Sequence, residues 1–169
     1  MMDTPAFTVR VADFAYLADE FHERVARMVW CSVAAVDERC RPRSRIMHPI
    51  WEGEIGWIGT WSTSVRAGHQ APSLKVAHLG RNPHVSLAYT GEITRPVYVD
   101  ARAEVIEDGD GKARFCDLAR CLLPPNGYDP AEVFAGPDDP RFAVLRLVPS
   151  RIDLVEFPAP PGKVIVWRA

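Results

Sequence analysis

The chain has no cysteines spaced C-x-x-C, no H-E-x-x-H, and no serine in a G-x-S-x-G setting. It also has neither a G-x-x-x-x-G-K-[ST] run nor a G-x-G-x-x-G run. The first two absences remove the usual frameworks for zinc, and no metal site is expected. The third removes a serine hydrolase of the common kind. The last two remove a P-loop and a dinucleotide-binding turn. No two carboxylates stand out as an acid–base pair. Excess charge of one sign is missing too: 20 basic residues stand against 22 acidic ones, for a net charge of −2. That balance gives no global argument for binding nucleic acid. No apolar run is long enough to cross a membrane. The opening MMDTPAFTVR lacks the pattern of a secretory signal, so a cytoplasmic protein is expected. The four cysteines, Cys31, Cys40, Cys116 and Cys121, read as reduced thiols.

What is present is ordinary globular material: 169 residues, 47% hydrophobic and 25% charged, enough for one domain with a real core. Residues 13–28 carry Phe14, Leu17, Phe21, Val25 and Met28 at helical spacing, with Asp13 as the N-cap. From there the period changes to two. Strands are expected over 29–36, 43–51, 55–60, 84–90, 97–107, 142–149, 151–157 and 163–169. Residues 61–72 read as a polar loop, 73–81 as a short helix, 108–123 as a second helix, and 123–140 as a loop with a helical turn at 130–134. The expected fold class is mainly β (α+β): an antiparallel split β-barrel of about seven strands, closed on itself, with a few peripheral helices.

The stretch SLKVAHLGRNP, residues 73–83, puts Lys75 in the first turn of a helix. The helix dipole is positive there, so a cation is disfavoured by about 0.3–1 kcal/mol if exposed. Either the lysine swings into water, or Ser73, Lys75 and the free N–H groups seat an anion such as phosphate. Arg41, Arg43 and Arg45 project from one face of a strand. The first two fall in the hairpin turn. Arg45 lies beyond it and calls for a partner, a carboxylate or a ligand phosphate. Thr60 ends a strand and opens a run of hydroxyls. Tryptophans 30, 51, 57, 61 and 167 suit either a core or the walls of a flat ligand. His48 and His78 read by default as core or surface histidines. Phosphate-binding groups without a side-chain nucleophile or base suggest that a cofactor carries the reaction.

From about residue 24 onward the order of these features resembles the pyridoxamine-phosphate-oxidase-like flavin-binding split-barrel superfamily. The signposts are RSRIMHPIW, IGWIGT, SLKVAHLGRNPHVSLAY, VYVDARAEVIED and the closing RFAVLRLVPSRIDLVEF…VIVWRA. The resemblance implies a homodimer with a cofactor site at the interface. FMN would be held by Arg45, Ile46, Met47, Gly59, Thr60, Ser73 and Lys75. Trp167 and Arg168 would reach toward the partner's site. It implies an oxidoreductase moving a hydride between a donor such as reduced nicotinamide and a small organic molecule. A deazaflavin coenzyme is the alternative, with Arg66 and Arg81 suited to its longer tail; a non-catalytic flavin- or haem-binding protein is another. No partner of nucleic acid or membrane is implied. Ile50 stands where the vitamin B6 oxidases carry a lysine, and Pro96 where they carry a glutamine, which argues against pyridoxine phosphate as substrate.

Overall fold

A computed structural model describes residues 8–66, 69–72, 74–157 and 162–169, with side chains of 63–77 outside the description. A short strand β1 (Thr8–Val11) leads to a 3₁₀ turn (Phe14–Tyr16) and helix α1 (Ala18–Met28). The expected helix over 13–28 is therefore two pieces. Asp13 does cap, accepting from the Ala15 N–H at 2.9 Å, but it caps the 3₁₀ turn. Leu17 leaves the helical region (φ −122°, ψ −2°) before α1 begins. Helix α1 buries Phe21 and Val25 against the sheet. It also buries Arg24, only 1% exposed. That guanidinium is paired with Glu20 and donates from Nη1 to the Val155 carbonyl at 2.6 Å. A buried charge held this way is neutralised and hydrogen-bonded at once.

Strands β2 (Cys31–Val36), β3 (Pro42–Met47), β4 (Ile50–Glu52) and β5 (Ile55–Trp61) follow. The strand expected over 43–51 breaks at His48–Pro49. A proline has no N–H for a ladder and pushes the preceding residue out of regular pairing geometry. Where a loop is expected over 61–72, β6 (Thr63–Arg66) and β7 (His69–Pro72) pair as antiparallel strands. Helix α2 (Leu74–Arg81), strands β8 (His84–Tyr89) and β9 (Val97–Ile106), and helix α3 (Gly109–Cys121) come next. Asp108 caps α3, accepting from the Gly111 N–H at 2.8 Å. A 3₁₀ turn at Pro130–Glu132 precedes β10 (Phe142–Glu156), and β11 (Lys163–Arg168) closes the order.

The main sheet runs β1-β11-β10-β9-β8-β2-β3, with β5 also on β10 and β4 on β5. It corrects two expectations. β1 runs parallel to β11, Thr8 beside Val164, so the sheet is mixed and not purely antiparallel. Among the described residues no ladder joins β3 to β5, so the sheet is open and not closed into a barrel. The strands expected over 142–149 and 151–157 are one. β10 passes Pro149 by a register shift, Pro149 facing Ala101 and Arg151 facing Asp100. Ser150 is the extra residue, and its hydroxyl donates to the Asp100 carbonyl at 3.2 Å. A bulge accommodates a proline that a regular ladder would not.

The larger apolar cluster lies under α1 and includes Phe21, Leu87, Val99, Leu147, Ile152 and Leu154. A second cluster under α3 includes Phe115, Ala119, Phe134, Phe142 and Val144. β10 serves both. All four cysteines are free, Cys31 and Cys116 buried, Cys40 and Cys121 exposed. No helix among the described residues is long and apolar enough to cross a membrane, and none of the described residues form a metal-binding group of three or more ligands.

Candidate functional site

β5 pairs with β10 along Gly56–Trp61, but with β4 only as far as Trp57. Beyond that point one edge of β5 has no ladder partner among the described residues. The same is true of the outer edge of β3, which pairs only with β2. A cleft of about 470 Å³ opens between these edges, with Ile46, Met47 and His48 on one side and Ile58, Gly59, Thr60 and Trp61 on the other. Its size is typical of a small-molecule site. Strand edges offer unpaired N–H and C=O groups, which a ligand with alternating donors and acceptors can satisfy.

Thr60 sharpens the picture. It is only 2% exposed, and its Oγ1 is buried without a hydrogen-bond partner among the described residues. A buried hydroxyl left alone is costly, by about 1–3 kcal/mol on mutational data. Thr60 is also one of the residues that line the cleft. Gly59 beside it has no room for a side chain, because Phe115 packs against its Cα.

The remaining walls come from distant parts of the chain. Trp30, 55% exposed, enters from the end of α1. Val29 there has φ 59° and ψ −61°, and the Trp30 N–H reaches back to the Met28 carbonyl at 2.6 Å. This is a γ-turn of the rarer, strained kind, on a β-branched residue. Strain of that sort persists where surrounding structure fixes it and is concentrated at functional sites. Tyr128, Glu132, Val133 and Phe134 close the cleft from the segment after α3. Asp129 organises that segment: its Oδ1 accepts from the Ala131 N–H at 3.0 Å and from Arg120 Nε at 2.9 Å. Phe134 stacks on Phe142 at 4.2 Å and meets Trp61 edge-on at 4.6 Å. Burial pushes the Tyr128 phenol up to about 12. His48 sits between Trp30 and Tyr128, with ring centroids 5.1 Å and 5.7 Å away, and burial lowers its pKa below the ordinary 6.5.

Of the residues singled out from the sequence, Ile46, Met47, Gly59 and Thr60 meet in this cleft. Arg45 points the other way on β3. It is half-buried and lines a small cavity of about 20 Å³ with Met47, Val85 and Leu79 of α2. Among the described residues it has no carboxylate partner, unlike its neighbours. Arg41 and Arg43 both bind the Asp37 carboxylate, at 2.9 Å and 3.2 Å. Ser73 lies outside the described residues. The backbone of Lys75 falls in the first turn of α2, and its side chain is outside the description. Arg81 forms an exposed ion pair with Glu38, so it is engaged elsewhere; the side chain of Arg66 is outside the description. Trp167 does not come to the cleft. It is 5% exposed, in the larger apolar cluster, with the Phe14 ring 5.8 Å away. Its strand is held on both sides, by Ile152 of β10 and Val11 of β1, which directs the indole into the core.

Sequence reasoning missed Tyr128, Glu132, Val133 and Phe134. Asp129-Pro130 was the available signal, an N-cap followed by proline at the first helical position, marking an ordered turn.

No family model matches the sequence, and no curated protein matches it. Solved structures do. One is a protein from Clostridium acetobutylicum related to general stress protein 26, of the pyridoxinephosphate oxidase family. It has a TM-score of 0.66 at 16% identity, over 92% of this chain and 96% of that one. A pyridoxamine 5'-phosphate oxidase-related, FMN binding protein from Nostoc punctiforme gives 0.63 at 16%, over 88% and 87%. An F420 reductase gives 0.55 at 17%, over 78% and 94%. The chain shares the fold of these pyridoxamine-phosphate-oxidase-like proteins.

Proposed function

We propose that this chain binds FMN and acts as an oxidoreductase on a small organic molecule, with a nicotinamide-type hydride donor. The observation that carries the reading is an aromatic-walled cleft between two free strand edges, one of which holds Thr60 with its buried, unpartnered hydroxyl. A flat heteroaromatic ring with hydrogen-bonding edges fits such a slot, and an FMN binding protein and an F420 reductase share the fold. Bound FMN supplies two-electron hydride chemistry. The chain's part is to bind and orient. Backbone groups of Ile46, Met47, Gly59 and Thr60 would meet the ring edge, and the Thr60 hydroxyl gains the partner it lacks. Trp30 and Trp61 would exclude water from the ring. Arg45, without a carboxylate partner among the described residues, would join Ser73 and Lys75 as the phosphate seat at the start of α2.

The working form is a homodimer with the site at the interface. Ile46, 70% exposed, stands beside Trp30, and Val133 lies on the same rim. A second copy would cover these apolar groups. The substrate is a small molecule.

An absorbance and fluorescence titration with FMN, riboflavin and the deazaflavin coenzyme tests the reading. FMN is expected to bind. Lys75→Ala should weaken FMN by about 1–3 kcal/mol, the range for a charge-assisted hydrogen bond, and leave riboflavin unchanged. Equal losses for both would remove Lys75 from the phosphate seat. Binding of the deazaflavin alone would replace FMN as cofactor. Light scattering that gives a single 18.9 kDa chain would sink the dimer.

A further inference from the structure

We propose that His48 is the proton donor of this site, protonating the acceptor as a hydride enters it. The inference rests on the flavin reading above. Three observations support it. His48 occupies the break between β3 and β4, where Pro49 ends the ladder, so its side chain is placed by the chain's turn and not by sheet packing. It lines the cleft described above and also a second cleft of about 470 Å³, and among the described residues no other lines both. Its ring is bracketed by Trp30 and Tyr128.

The chemistry needs such a group. A hydride entering a quinone or carbonyl brings two electrons and leaves negative charge on oxygen. The cleft walls are mostly apolar, so that charge is costly until a proton arrives. In the proposed step the reductant is a reduced flavin. The His48 N–H bond breaks, an O–H bond forms on the acceptor, and the imidazole is left neutral. Water in the second cleft reprotonates it from the far side. The other polar groups facing His48 suit the role less well. The Tyr128 phenol is a weaker acid than usual, and Glu132 is exposed on the rim. His22 of α1 and Cys121 of α3 face only the second cleft. Burial lowers the His48 pKa, so its acid form grows as pH falls below the ordinary 6.5, and proton delivery should speed up in the same direction.

The test compares wild type with His48→Gln. Each protein is loaded with FMN, reduced, and mixed anaerobically with two acceptors. Menadione needs a proton with its hydride; ferricyanide takes an electron and no proton. The variant is measured with FMN saturating, its own ferricyanide rate serving as the reference. It should reduce menadione about 10²-fold or more slowly, the usual contribution of a general acid. The wild-type menadione rate should rise toward low pH, and the variant's should not. A readout independent of turnover is the imidazole NMR titration of His48, whose midpoint should move when FMN is added. Unaltered menadione rates, equal losses with both acceptors, or an unmoved His48 midpoint with FMN bound would overturn the role of His48 alone. Failure of wild type to bind any flavin would overturn the flavin reading and this proposal with it.

Discussion

A Cβ built on Gly59 would stand 2.8 Å from Cε1 of Phe115, so strand β5 rests its bare backbone directly on a ring from α3. Phe134 closes the same spot from the other side, 3.3 Å from that position. The Phe115 ring is fully buried in the cluster under α3, which leaves it little space to retreat.

Gly59→Ala should therefore destabilise the fold by about 1–3 kcal/mol, the range for forcing extra volume into a packed core. Urea unfolding measures this. A midpoint equal to wild type would show that the Phe115 ring is free to move.

Thr60→Val separates stability from binding. The variant keeps the shape and removes a buried hydroxyl that has no partner among the described residues. The ligand-free protein should be as stable as wild type or more so. FMN affinity should fall by about 0.5–1.5 kcal/mol, one ordinary hydrogen bond. Loss of stability without loss of affinity would mean that the hydroxyl is satisfied within the protein.

Acid should loosen the β2–β3 turn. The Arg41 side chain, with help from the backbone N–H groups of Arg39 and Arg41, holds the Asp37 carboxyl well below the usual carboxylate range. Its folded pKa is depressed, so its stabilisation is complete above the unfolded pKa of about 3.9 and is lost as pH falls below it. Asp37→Asn should lower stability at neutral pH and flatten the decline below about pH 4. An acid limb identical to wild type would assign the effect elsewhere.

The parts of the site that were legible in the sequence are those carried by single strands. Ile46, Met47, Gly59 and Thr60 stand in short apolar runs with sharp ends, and the structure gathers them at one cleft. What was not legible depends on long-range placement. Tyr128 and Phe134 come from a segment without periodicity, and only the fold brings them opposite Trp30 and Trp61. The β6–β7 hairpin has a largely polar sequence without apolar alternation, so its pairing leaves no mark. The β10 bulge was visible as Pro149, but one bulged strand and two strands read alike. A terminal aromatic suits a core as readily as a neighbour's pocket, so the burial of Trp167 in its own chain's core leaves no mark in the sequence.

The parallel pairing of β1 with β11 has a consequence for biosynthesis. Thr8 finds its neighbour only when Val164 exists. At the usual ~5–20 residues per second, the ribosome needs about 8–30 s to bridge that gap. Until then residues 8–11 have no partner strand, and β10, once made, has an uncovered edge. Nascent chains stalled before residue 163 should therefore be the form most prone to capture by chaperones or by each other.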